Sequence, residues 1–426
     1  MKIAIVGAGI AGNTAAYKLR AEHEVTVFEA ADYIGGHTHT VDVELMGQRY
    51  AVDTGFIVFN DRTYPNFVAL LAELGIESQP TSMSFSVSSD LTGLEYNGTS
   101  LATLFADRRN LFRPRFYRML ADIVRFGRDA QAFLATNNDT ATLADFLMAN
   151  RYSRELVESY VVPMTAAIWS APPGSVRTMP ARFLLRFFAN HGMLSIDDRP
   201  QWRTIVGGSA RYVDKLVAGH RDRIRTRAAV TAVTRAPNGV VVRTREASPE
   251  HFDAVFLACH SDQALGLLTD ATALEREVLG AIRFQQNDAV LHTDERMLPR
   301  CRRAWASWNY RVIDGGDSAP PLVTYHMNAL QRISAPVELC VTLNDKGRVA
   351  PERVLGRYRY EHPLFDAAAV AAQARYAEID GLYGTYFCGA YWRNGFHEDG
   401  VVSALAAVEH FNERVRHAEL HFRRTG

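Results

Sequence analysis

Lysine is scarce in this sequence, and a net charge is absent. Only four lysines occur, and Lys plus Arg balances Asp plus Glu at 47 residues each. The chain therefore has no overall field that would attract nucleic acid or an acidic polymer, and any basic surface must be local. We expect no nucleic-acid partner.

Cysteine pairs and long apolar runs are missing as well. The four cysteines stand far apart and form no CxxC, which excludes a redox dithiol and a zinc knuckle. No stretch approaches the roughly 20 apolar residues that span a bilayer, and no basic leader precedes an apolar run. We expect a cytoplasmic protein without a metal site, a membrane-spanning segment or a signal peptide.

What the chain does contain is enough apolar sequence for a large interior. Its 426 residues are 47% hydrophobic and 22% charged, which is typical of a folded globular protein. This length exceeds the number of residues that one ordinary domain contains, and two or three domains are expected.

A dinucleotide-binding pattern occupies the first 30 residues. The apolar run KIAIV at 2–6 predicts a buried parallel strand, and GAGIAG follows at once. Small and apolar residues at helical spacing predict a helix from Ile10 to about Ala21, and a second strand at 24–28 ends at Glu29. A glycine motif alone is weak, but here it has the strand, the helix and the acid at the expected spacing.

Each element of this pattern has a physical role in holding a dinucleotide. Gly7 permits a tight turn, Gly9 lets the backbone approach a pyrophosphate, and Gly12 lets the helix and the strand pack closely. Ile10 and Ala11 open the helix, whose unpaired N–H groups face the phosphates. Glu29 would bind a ribose and repel a 2′-phosphate, which favours FAD or NAD over NADP.

The segment after Glu29 favours FAD. It reads AADYIGGHTHT, with Gly35 and Gly36 six and seven residues beyond the acid. This extended fingerprint resembles that of the flavin amine oxidase and phytoene desaturase superfamily, in which the glycine pair approaches the FAD phosphates. Arg usually follows the pair in that superfamily, whereas this chain has His37. The resemblance implies cofactor contacts at Ala30, Gly35, Gly36 and His37, and the alternative is an ordinary surface turn.

Further matches follow in the superfamily's order along the chain. VDTGFIVFN resembles the loop near the isoalloxazine, and RTRAAVTAV resembles the strand whose valine packs beside the adenine. YFCGAYWRNGFHEDGVVSALAAVEHF resembles the final FAD segment, in which a strand ends at Gly389 and a helix starts near Gly400 and points its N-terminus at the flavin. The cofactor contacts that these matches imply are Asp53, Thr54, Gly55, Phe56, Val230, Gly389, Gly400, Val401 and Val402.

The resemblance also implies the fold. We expect an α/β protein with a Rossmann-like FAD-binding domain of the glutathione reductase 2 type and an inserted α+β substrate domain. The FAD-binding domain is discontinuous, over 1–75, 203–265 and 375–426, and the substrate domain takes 76–202 and 266–374. Few turn residues occur between 114 and 160, so the first insert should be mostly helical, whereas strand-like runs fill 280–345.

The predicted function is an FAD-dependent oxidoreductase with non-covalent FAD. More narrowly, WNY, TYHMNALQ and VTLND resemble a bacterial group of NAD/FAD-binding proteins commonly encoded beside cyclopropane fatty acyl synthases. That resemblance implies desaturation of a lipid or methylated fatty acyl chain, with a lipid methyltransferase as a potential partner. The alternatives are a flavin amine oxidase and a redox-neutral enzyme or FAD-bearing scaffold. No second GxGxxG occurs, so the electrons should pass to oxygen, a quinone or another protein.

Amine oxidation takes second place because its usual residues are missing. The stretch that matches the superfamily's lysine strand, QQNDAVLHTD at 285–294, contains no lysine. Phe396 takes the place of the last tyrosine of the aromatic pair that holds an amine. The candidate bases for dehydrogenation are His397, Glu398 and Asp399, each of which could instead cap the last helix. The expected pocket residues are Trp169, Tyr325, His326, Tyr391, Trp392 and Phe396.

One local basic surface is predicted at 107–128. This segment contains seven arginines against two aspartates, with aromatic and aliphatic residues between them. It could rest on an anionic membrane surface, which would place the protein on the inner face of a membrane. The alternative is a solvated helix face whose apolar side joins the core.

Overall fold

A computed structural model describes residues 1–195 and 199–425. The strands are β1 (Lys2–Val6), β2 (Glu24–Phe28), β3 (Thr40–Leu45), β4 (Gln48–Asp53), β5 (Phe59–Asn60), β6 (Ser78–Pro80), β7 (Phe85–Ser89), β8 (Glu95–Asn97), β9 (Trp202–Ile205), β10 (Ile224–Arg225), β11 (Val230–Ala236), β12 (Gly239–Thr244), β13 (Glu250–Phe252), β14 (Ala254–Leu257), β15 (Phe284–His292), β16 (Trp308–Val312), β17 (Leu322–His326), β18 (Cys340–Leu343), β19 (Val354–Pro363) and β20 (Thr385–Phe387).

Helices cover both sides of the sheets. They are α1 (Ile10–Leu19), α2 (Pro65–Glu73), α3 (Leu101–Leu104), α4 (Pro114–Leu134), α5 (Leu143–Ala149), α6 (Arg154–Leu156), α7 (Val162–Trp169), α8 (Pro173–Thr178), α9 (Ala181–Asn190), α10 (Ala210–Val217), α11 (Ser261–Leu267), α12 (Ala273–Gly280), α13 (Met327–Leu330), α14 (Ala367–Gln373), α15 (Tyr376–Ile379) and α16 (His397–Thr425). A π-helical turn, Val157–Val161, joins α6 to α7, and a 3-10 turn, Arg108–Phe112, precedes α4.

Two large sheets organise the molecule. The first has five parallel strands in the order β10-β2-β1-β14-β20, all from the ranges expected for the FAD-binding domain. The second has seven strands in the order β19-β15-β18-β17-β16-β7-β8, all from the ranges expected for the substrate domain. The fold is therefore the predicted α/β architecture, in which a Rossmann-like sheet carries an inserted α+β layer.

The first helix packs as the small residues in its sequence predict. Ala11, Ala15 and Ala16 are buried, and together with Leu19 they bring α1 close to the parallel sheet. The helix ends at Leu19, two residues before the predicted end. Its N-terminus thus stands directly after the turn that follows β1.

The helical insert forms the largest apolar core. Phe116, Met119 and Phe126 of α4 are buried among the aromatic and aliphatic side chains of α5, α7 and α9. The helical part of 107–128 therefore directs most of its apolar side chains into the core, as the alternative interpretation of that segment predicted. Among the described residues, no helix has the length and the apolarity needed to cross a bilayer.

Candidate active site

A large cavity opens between the two sheets. Its volume is about 930 Å³. Ligands of open parallel sheets bind outside the carboxyl ends of the strands, and the loops after β1, β2, β14 and β20 all reach this cavity. We call the part lined by these loops, by 55–58 and by 361–363 the cofactor half. The substrate half is lined by residues of 81–99, 160–170, 187–202, Trp308, Tyr325 and Phe396.

The three glycines of the first turn have different surroundings. A Cβ at Gly12 would lie 1.9 Å from the Gly7 carbonyl oxygen, and one at Gly7, where φ is +105°, would lie 2.8 Å from the Ala258 oxygen. The packing of the protein itself therefore requires both glycines. A Cβ at Gly9 would have no heavy atom within 4 Å, and Gly9 lines the cavity. Close approach of a bound group explains glycine at position 9, so this turn fits a pyrophosphate.

The second glycine pair packs directly on this turn. The Gly35 N–H donates to the Ala8 carbonyl oxygen at 2.9 Å, and a Cβ at Gly36 would lie 3.1 Å from the Gly9 Cα. Gly35, Gly36 and His37 all line the cavity beside the predicted phosphate site.

Glu29 is held by the backbone around it. Its carboxylate accepts hydrogen bonds from the Ala8 and Ala31 N–H groups, both at 2.8 Å, and it lines the cavity. A carboxylate has about four acceptor positions, so it can also accept hydrogen bonds from a ribose. Ala30 and Val230 line the same end of the cavity.

Three histidines meet on the wall of the cofactor half. The rings of His260 and His362 lie 6.3 and 5.4 Å from the ring of His37, whose Nε2 is 3.1 Å from the Glu361 carbonyl oxygen. Burial lowers the pKa of His37 to about 4 and that of His362 to about 3. The position usually held by Arg is thus neutral at pH 7. No cluster of His, Cys, Asp or Glu within the described ranges could hold a metal ion.

The expected contacts of Asp53 and Thr54 require correction. Asp53 is fully buried outside the cavity, and its carboxylate accepts hydrogen bonds from the Ser209 N–H at 2.9 Å and the Gln331 amide at 2.8 Å. Thr54 shares a hydrogen bond with Tyr360 at 2.6 Å. Asp53 therefore joins β4 to the start of α10, and it is Gly55 and Phe56 that line the cavity.

The helix of the final segment begins close to the predicted position. α16 begins at His397, three residues before Gly400, and Gly400, Val401 and Val402 do not line the cavity. A Cβ at Gly400 would lie 2.7 Å from Ile10 Cγ2, so this glycine allows α16 to pack against α1. Gly389 does line the cavity, two residues after the end of β20.

Two of the three candidate bases have structural roles. The Glu398 carboxylate accepts hydrogen bonds from the Asn66 and Phe67 N–H groups at 3.1 and 2.9 Å, which caps α2. The Asp399 carboxylate accepts from the Phe396 N–H at 2.9 Å and holds the turn before α16. Neither side chain lines the cavity, so the expectation that they act as bases is corrected.

His397 does line the cavity. Its Nε2 lies 2.9 Å from the Thr38 hydroxyl and 3.0 Å from the Tyr212 hydroxyl, and its ring stacks on Phe56 at 3.5 Å. Burial lowers its pKa well below the ordinary value. His397 is therefore a neutral imidazole between the two halves.

The substrate half is built from aromatic side chains. The Phe187 ring lies 4.7 Å from Trp169 and 5.2 Å from Phe396, and Tyr325 lines the same space. Tyr391 reaches the cavity from the cofactor side. The indole N–H of Trp169 donates to the Asn394 carbonyl oxygen at 2.9 Å, which fixes this wall to the loop before α16.

Two expected pocket residues lie elsewhere. His326 pairs with Glu338 at 2.7 Å on the far side of its strand, because neighbouring residues of a strand face opposite sides and Tyr325 takes the cavity side. Trp392 packs on Tyr376 at 4.9 Å in the core below the parallel sheet. Neither residue lines the cavity.

No sequence motif predicted a histidine in the wall of the substrate half, but His191 lines it. Its Nδ1 lies 2.9 Å from the Phe187 carbonyl oxygen, which can only accept, so Nδ1 carries the proton and Nε2 is the acceptor. Burial lowers its pKa to about 4, and the residue is therefore neutral at pH 7. His191 follows α9 at its C-terminal end, and no sequence motif marks it.

Comparison with known proteins agrees with this architecture. A sequence model described as flavin containing amine oxidoreductase matches residues 10–288. The chain is 28% identical over 256 residues to a putative flavin-containing monoamine oxidase, AofH, of Mycobacterium tuberculosis. The aligned region covers 58% of this chain and 54% of AofH. It is 24% identical over 267 residues to the flavin-containing amine oxidase A of Equus caballus, covering 60% and 48% of the two chains. It thus spans about half the length of the curated relatives it matches.

Solved structures share the fold over nearly the whole chain. Cyclohexylamine oxidase from Brevibacterium oxydans IH-35A has a TM-score of 0.69 at 16% identity. The superposition covers 96% of this chain and 99% of the oxidase chain. A CLA-producing fatty acid isomerase from P. acnes has a TM-score of 0.68 at 17% identity and covers 96% and 98%.

Proposed function

The chain belongs to the flavin-containing amine oxidoreductase family, and from this premise we propose that it is an FAD-dependent oxidoreductase that dehydrogenates the acyl chain of a lipid. FAD is the cofactor of this family, and the glycine turn and Glu29 fit its pyrophosphate and its ribose. When bound, FAD supplies a ring nitrogen, N5, that accepts a hydride. The two halves of the cavity then have separate tasks.

The lining of the substrate half carries the proposal. Among the described residues that line it, no carboxylate and no lysine occurs, and aromatic and aliphatic side chains predominate. Such a wall favours an apolar chain and excludes water from the reacting carbon. The P. acnes fatty acid isomerase has the same fold, which supports an acyl chain as substrate.

His191 is placed to accept the proton that dehydrogenation releases. Removal of two hydrogens from adjacent carbons delivers one as hydride and the other as a proton, which needs a base. His191 lines the substrate half, and its neutral Nε2 lies 3.1 Å from the Thr63 hydroxyl, from which it can accept a hydrogen bond. His397 Nε2 already contacts two hydroxyl groups, so we propose His191 as the base and His397 as the second candidate.

Amine oxidation is the second candidate function. It is favoured by the monoamine oxidases among the relatives and by the cavity-lining Tyr391 and Phe396. Against it, no lysine lines the cavity within the described part of the chain. A redox-neutral reaction, as in an isomerase, is the third.

Anaerobic titration of the FAD-loaded protein distinguishes these functions. Acyl lipids should bleach the oxidised flavin, whereas polyamines and arylalkylamines should leave it yellow. Bleaching by amines alone would establish the second function in place of the first. Conversion of an acyl lipid without net bleaching would establish the third.

We also propose that the protein takes its substrate from an anionic membrane surface on the cytoplasmic side. The basic patch that supports this proposal combines three exposed apolar side chains with arginines from two distant segments. Phe112 is 86% exposed, Leu101 76% and Leu111 45%. The arginines around them are Arg108, Arg109, Arg113, Arg115, Arg118, Arg300, Arg302 and Arg303.

Local contacts join the two segments of the basic patch. The Cys301 thiol donates to the Ala106 carbonyl oxygen at 3.2 Å, and the Glu95 carboxylate accepts from the Arg300 and Cys301 N–H groups. Some of the arginines have acidic partners, Asp107, Glu155, Glu295 and Glu338, but eight arginines outnumber these four acids and Glu95 together. Exposed apolar side chains within a basic rim fit anionic lipid headgroups.

The basic patch lies next to the substrate half. Gly98 and Thr99, which line the cavity, directly precede α3 and the exposed Leu101. An acyl chain leaving the bilayer at this patch would therefore reach the aromatic wall over a short distance.

A further inference from the structure

The cofactor half has no permanent positive charge among the described residues that line it. Its charged side chains are the carboxylates of Glu29 and Glu361. A pyrophosphate carries a negative charge on each phosphate, and the N-terminus of α1 offers only about half an elementary charge in compensation. Bound FAD therefore adds negative charge to a half in which, as far as the described lining extends, only imidazoles can become positive.

Glu361 joins two of these imidazoles, His37 and His260, which we call the histidine pair. The His260 Nδ1 lies 3.1 Å from the Glu361 carboxylate, and the His37 Nε2 lies 3.1 Å from the Glu361 carbonyl oxygen. Both oxygens can only accept, so each of these nitrogens carries a hydrogen in the neutral ring. Both rings are half-buried and line the cavity. The other nitrogen of each ring is the one that can take up a further proton.

His362, the third ring of the cluster, is kept neutral by its hydrogen-bond partner. Its Nδ1 lies 3.0 Å from the Asn287 Nδ2. The Asn287 Oδ1 accepts from the Asn344 Nδ2 at 2.9 Å, which fixes the orientation of the Asn287 amide. The Asn344 amide is fixed in turn, because its Oδ1 accepts from the Asp288 N–H. The His362 Nδ1 is therefore an acceptor, and a proton on this nitrogen would break its hydrogen bond.

The groups around the histidine pair favour a positive charge on it. The titratable groups of the neighbouring elements are Tyr360 and Glu361 of β19, Cys259 and Asp262 at the start of α11, and His397 of α16. Burial raises the pKa of Tyr360 and that of Cys259 and lowers that of His397, so these three side chains are neutral. The remaining two, Glu361 and Asp262, are acidic and attract a proton to the pair.

We propose that the histidine pair takes up one proton from solvent when FAD binds, and that this proton offsets part of the charge of the pyrophosphate. His37 directly follows Gly36, which packs on the Gly9 turn, so the pair adjoins the phosphate site. The two ring centroids lie 6.3 Å apart, and the repulsion between two imidazolium rings opposes a second proton. The inference requires the cofactor but is independent of the substrate.

The direction of the pH effect follows from the two states of the histidine pair. Without FAD, burial lowers the pKa of His37 to about 4 and lowers that of His260 as well. An anion within about 6 Å raises the pKa of an imidazole by about 1 to 3 pH units. The holoprotein thus binds a proton at pH values at which the pair is neutral in the apoprotein. Lowering the pH therefore strengthens the binding of FAD, and raising the pH weakens it.

Calorimetric titration of the apoprotein with FAD counts this proton directly. The titration is made near neutral pH in two buffers with different enthalpies of ionisation, and the difference between the heats gives the number of protons taken up. The wild type should take up between about half a proton and one proton per FAD. The dissociation constant, measured by flavin fluorescence, should rise by up to about tenfold per pH unit between about pH 6.5 and 8.5, the slope for one proton.

Variants locate the proton at the histidine pair. The double variant His37→Gln, His260→Gln should bind FAD more weakly and take up no proton. His37→Arg supplies a permanent charge, so it should bind FAD without proton uptake and with little dependence on pH. His362→Gln should retain the proton uptake, because His362 stays neutral in both states. The matched control is His251→Gln, which replaces an exposed histidine of β13 outside the cavity lining and should behave as the wild type.

The contrary results separate this proposal from the cofactor assignment. Binding of FAD to the wild type without proton uptake, and with one dissociation constant across the pH range, would overturn the proposal and leave FAD as the cofactor. Full proton uptake in the double variant would overturn it as well. Failure of the wild type to bind FAD at any pH would contradict the cofactor assignment and, with it, the proposal.

Discussion

Gly9 and Gly12 belong to one turn, but the structure gives them different reasons to be glycine. Replacing Gly12 would force a Cβ into the Gly7 carbonyl oxygen, whereas position 9 has room within the protein. A sequence motif contains both residues without distinguishing them. The distinction becomes visible only when the packing of α1 on β1 is known.

We predict that Gly9→Leu folds but no longer retains FAD. The leucine side chain would occupy the space where the pyrophosphate approaches the turn, and its Cβ would meet no protein atom within 4 Å. The purified variant should be colourless, with an unfolding midpoint equal to that of the wild-type apoprotein. The control, Gly12→Ala, should be destabilised strongly, since it overpacks a buried contact. A yellow Gly9→Leu protein would contradict the placement of the pyrophosphate.

We predict that His191→Asn slows flavin reduction by an acyl lipid by about 100-fold or more, the usual contribution of a general base. Stopped-flow absorbance of the flavin measures this rate. The comparison is His397→Asn, which should alter FAD binding more than the rate, because the His397 ring stacks on Phe56 of the cofactor half. If only His397→Asn slowed reduction, the base would be His397.

At the scale of elements, the parallel sheet and its first helix could be predicted from sequence. β-branched runs, the glycine turn and Glu29 have fixed spacing, so local pattern and tertiary structure agree. α16 begins at His397, close to the predicted start near Gly400, and only the structure shows that Gly400 also allows α16 to pack against α1. The π-helical turn that carries Tyr160 has no sequence pattern of its own.

The full extent of the basic patch could not be predicted from one segment of the sequence. Residues 107–128 contain the arginines but also the core face of α4, and residues 300–303 join the patch only through tertiary contacts. The proposed membrane-contacting surface therefore comprises α3, the 3-10 turn before α4 and residues 300–303.

We predict that the double variant Leu111→Ser, Phe112→Ser binds phosphatidylglycerol vesicles at least about tenfold more weakly than the wild type, because each apolar side chain contributes roughly 1.5 to 3 kcal/mol on full burial. Co-sedimentation measures this binding, and added salt should weaken it. The control is Met148→Ser, which replaces a side chain that is 69% exposed on α5 and should bind normally. Equal binding to phosphatidylcholine vesicles would contradict the role of anionic lipid, and unchanged binding of the double variant would contradict the placement of the membrane contact at this patch.

At the scale of the whole molecule, buried histidines couple folding to pH. Burial lowers the pKa of His37, His191, His220 and His292 to about 4, from an ordinary value of 6.5. Between these values the unfolded chain binds more protons than the folded chain, so the histidines stabilise the fold above pH 6.5 and lose that effect as the pH falls towards 4. Burial raises the pKa of Asp53 to about 6 and that of Asp399 to about 7. These two carboxyl groups bind more protons in the folded chain, so their contribution to stability increases as the pH falls, opposite to that of the histidines.

We predict that the apoprotein loses stability as the pH is lowered from about 6.5 to 4, because the histidines outnumber these two carboxyl groups. Urea unfolding at several pH values measures the effect. His220 offers a specific check, since both of its ring nitrogens are buried without a partner among the described residues. His220→Phe should reduce the dependence on pH, and an unchanged dependence would show that His220 is not neutral when folded.

The cavity has a cofactor half and a substrate half because it lies between the two large sheets. Sequence motifs mark the cofactor half, because binding a dinucleotide requires glycines and an acid at set positions. The substrate half is built from residues distributed over many elements, such as His191, Arg199 and Trp308, and no spacing rule joins them. The fold and the cofactor therefore could be predicted from sequence, while the side chains that line the substrate half could be identified only from the three-dimensional structure.

The central claim is that bound FAD oxidises an acyl chain in this cavity. Its most direct test is a single anaerobic turnover of the FAD-loaded protein with an acyl lipid, with the lipid analysed by mass spectrometry and the flavin by absorbance. We predict one acyl chain lacking two hydrogen atoms for each flavin reduced. A flavin that stays oxidised with every acyl lipid, but is reduced by an amine with formation of an imine or aldehyde, would contradict the account.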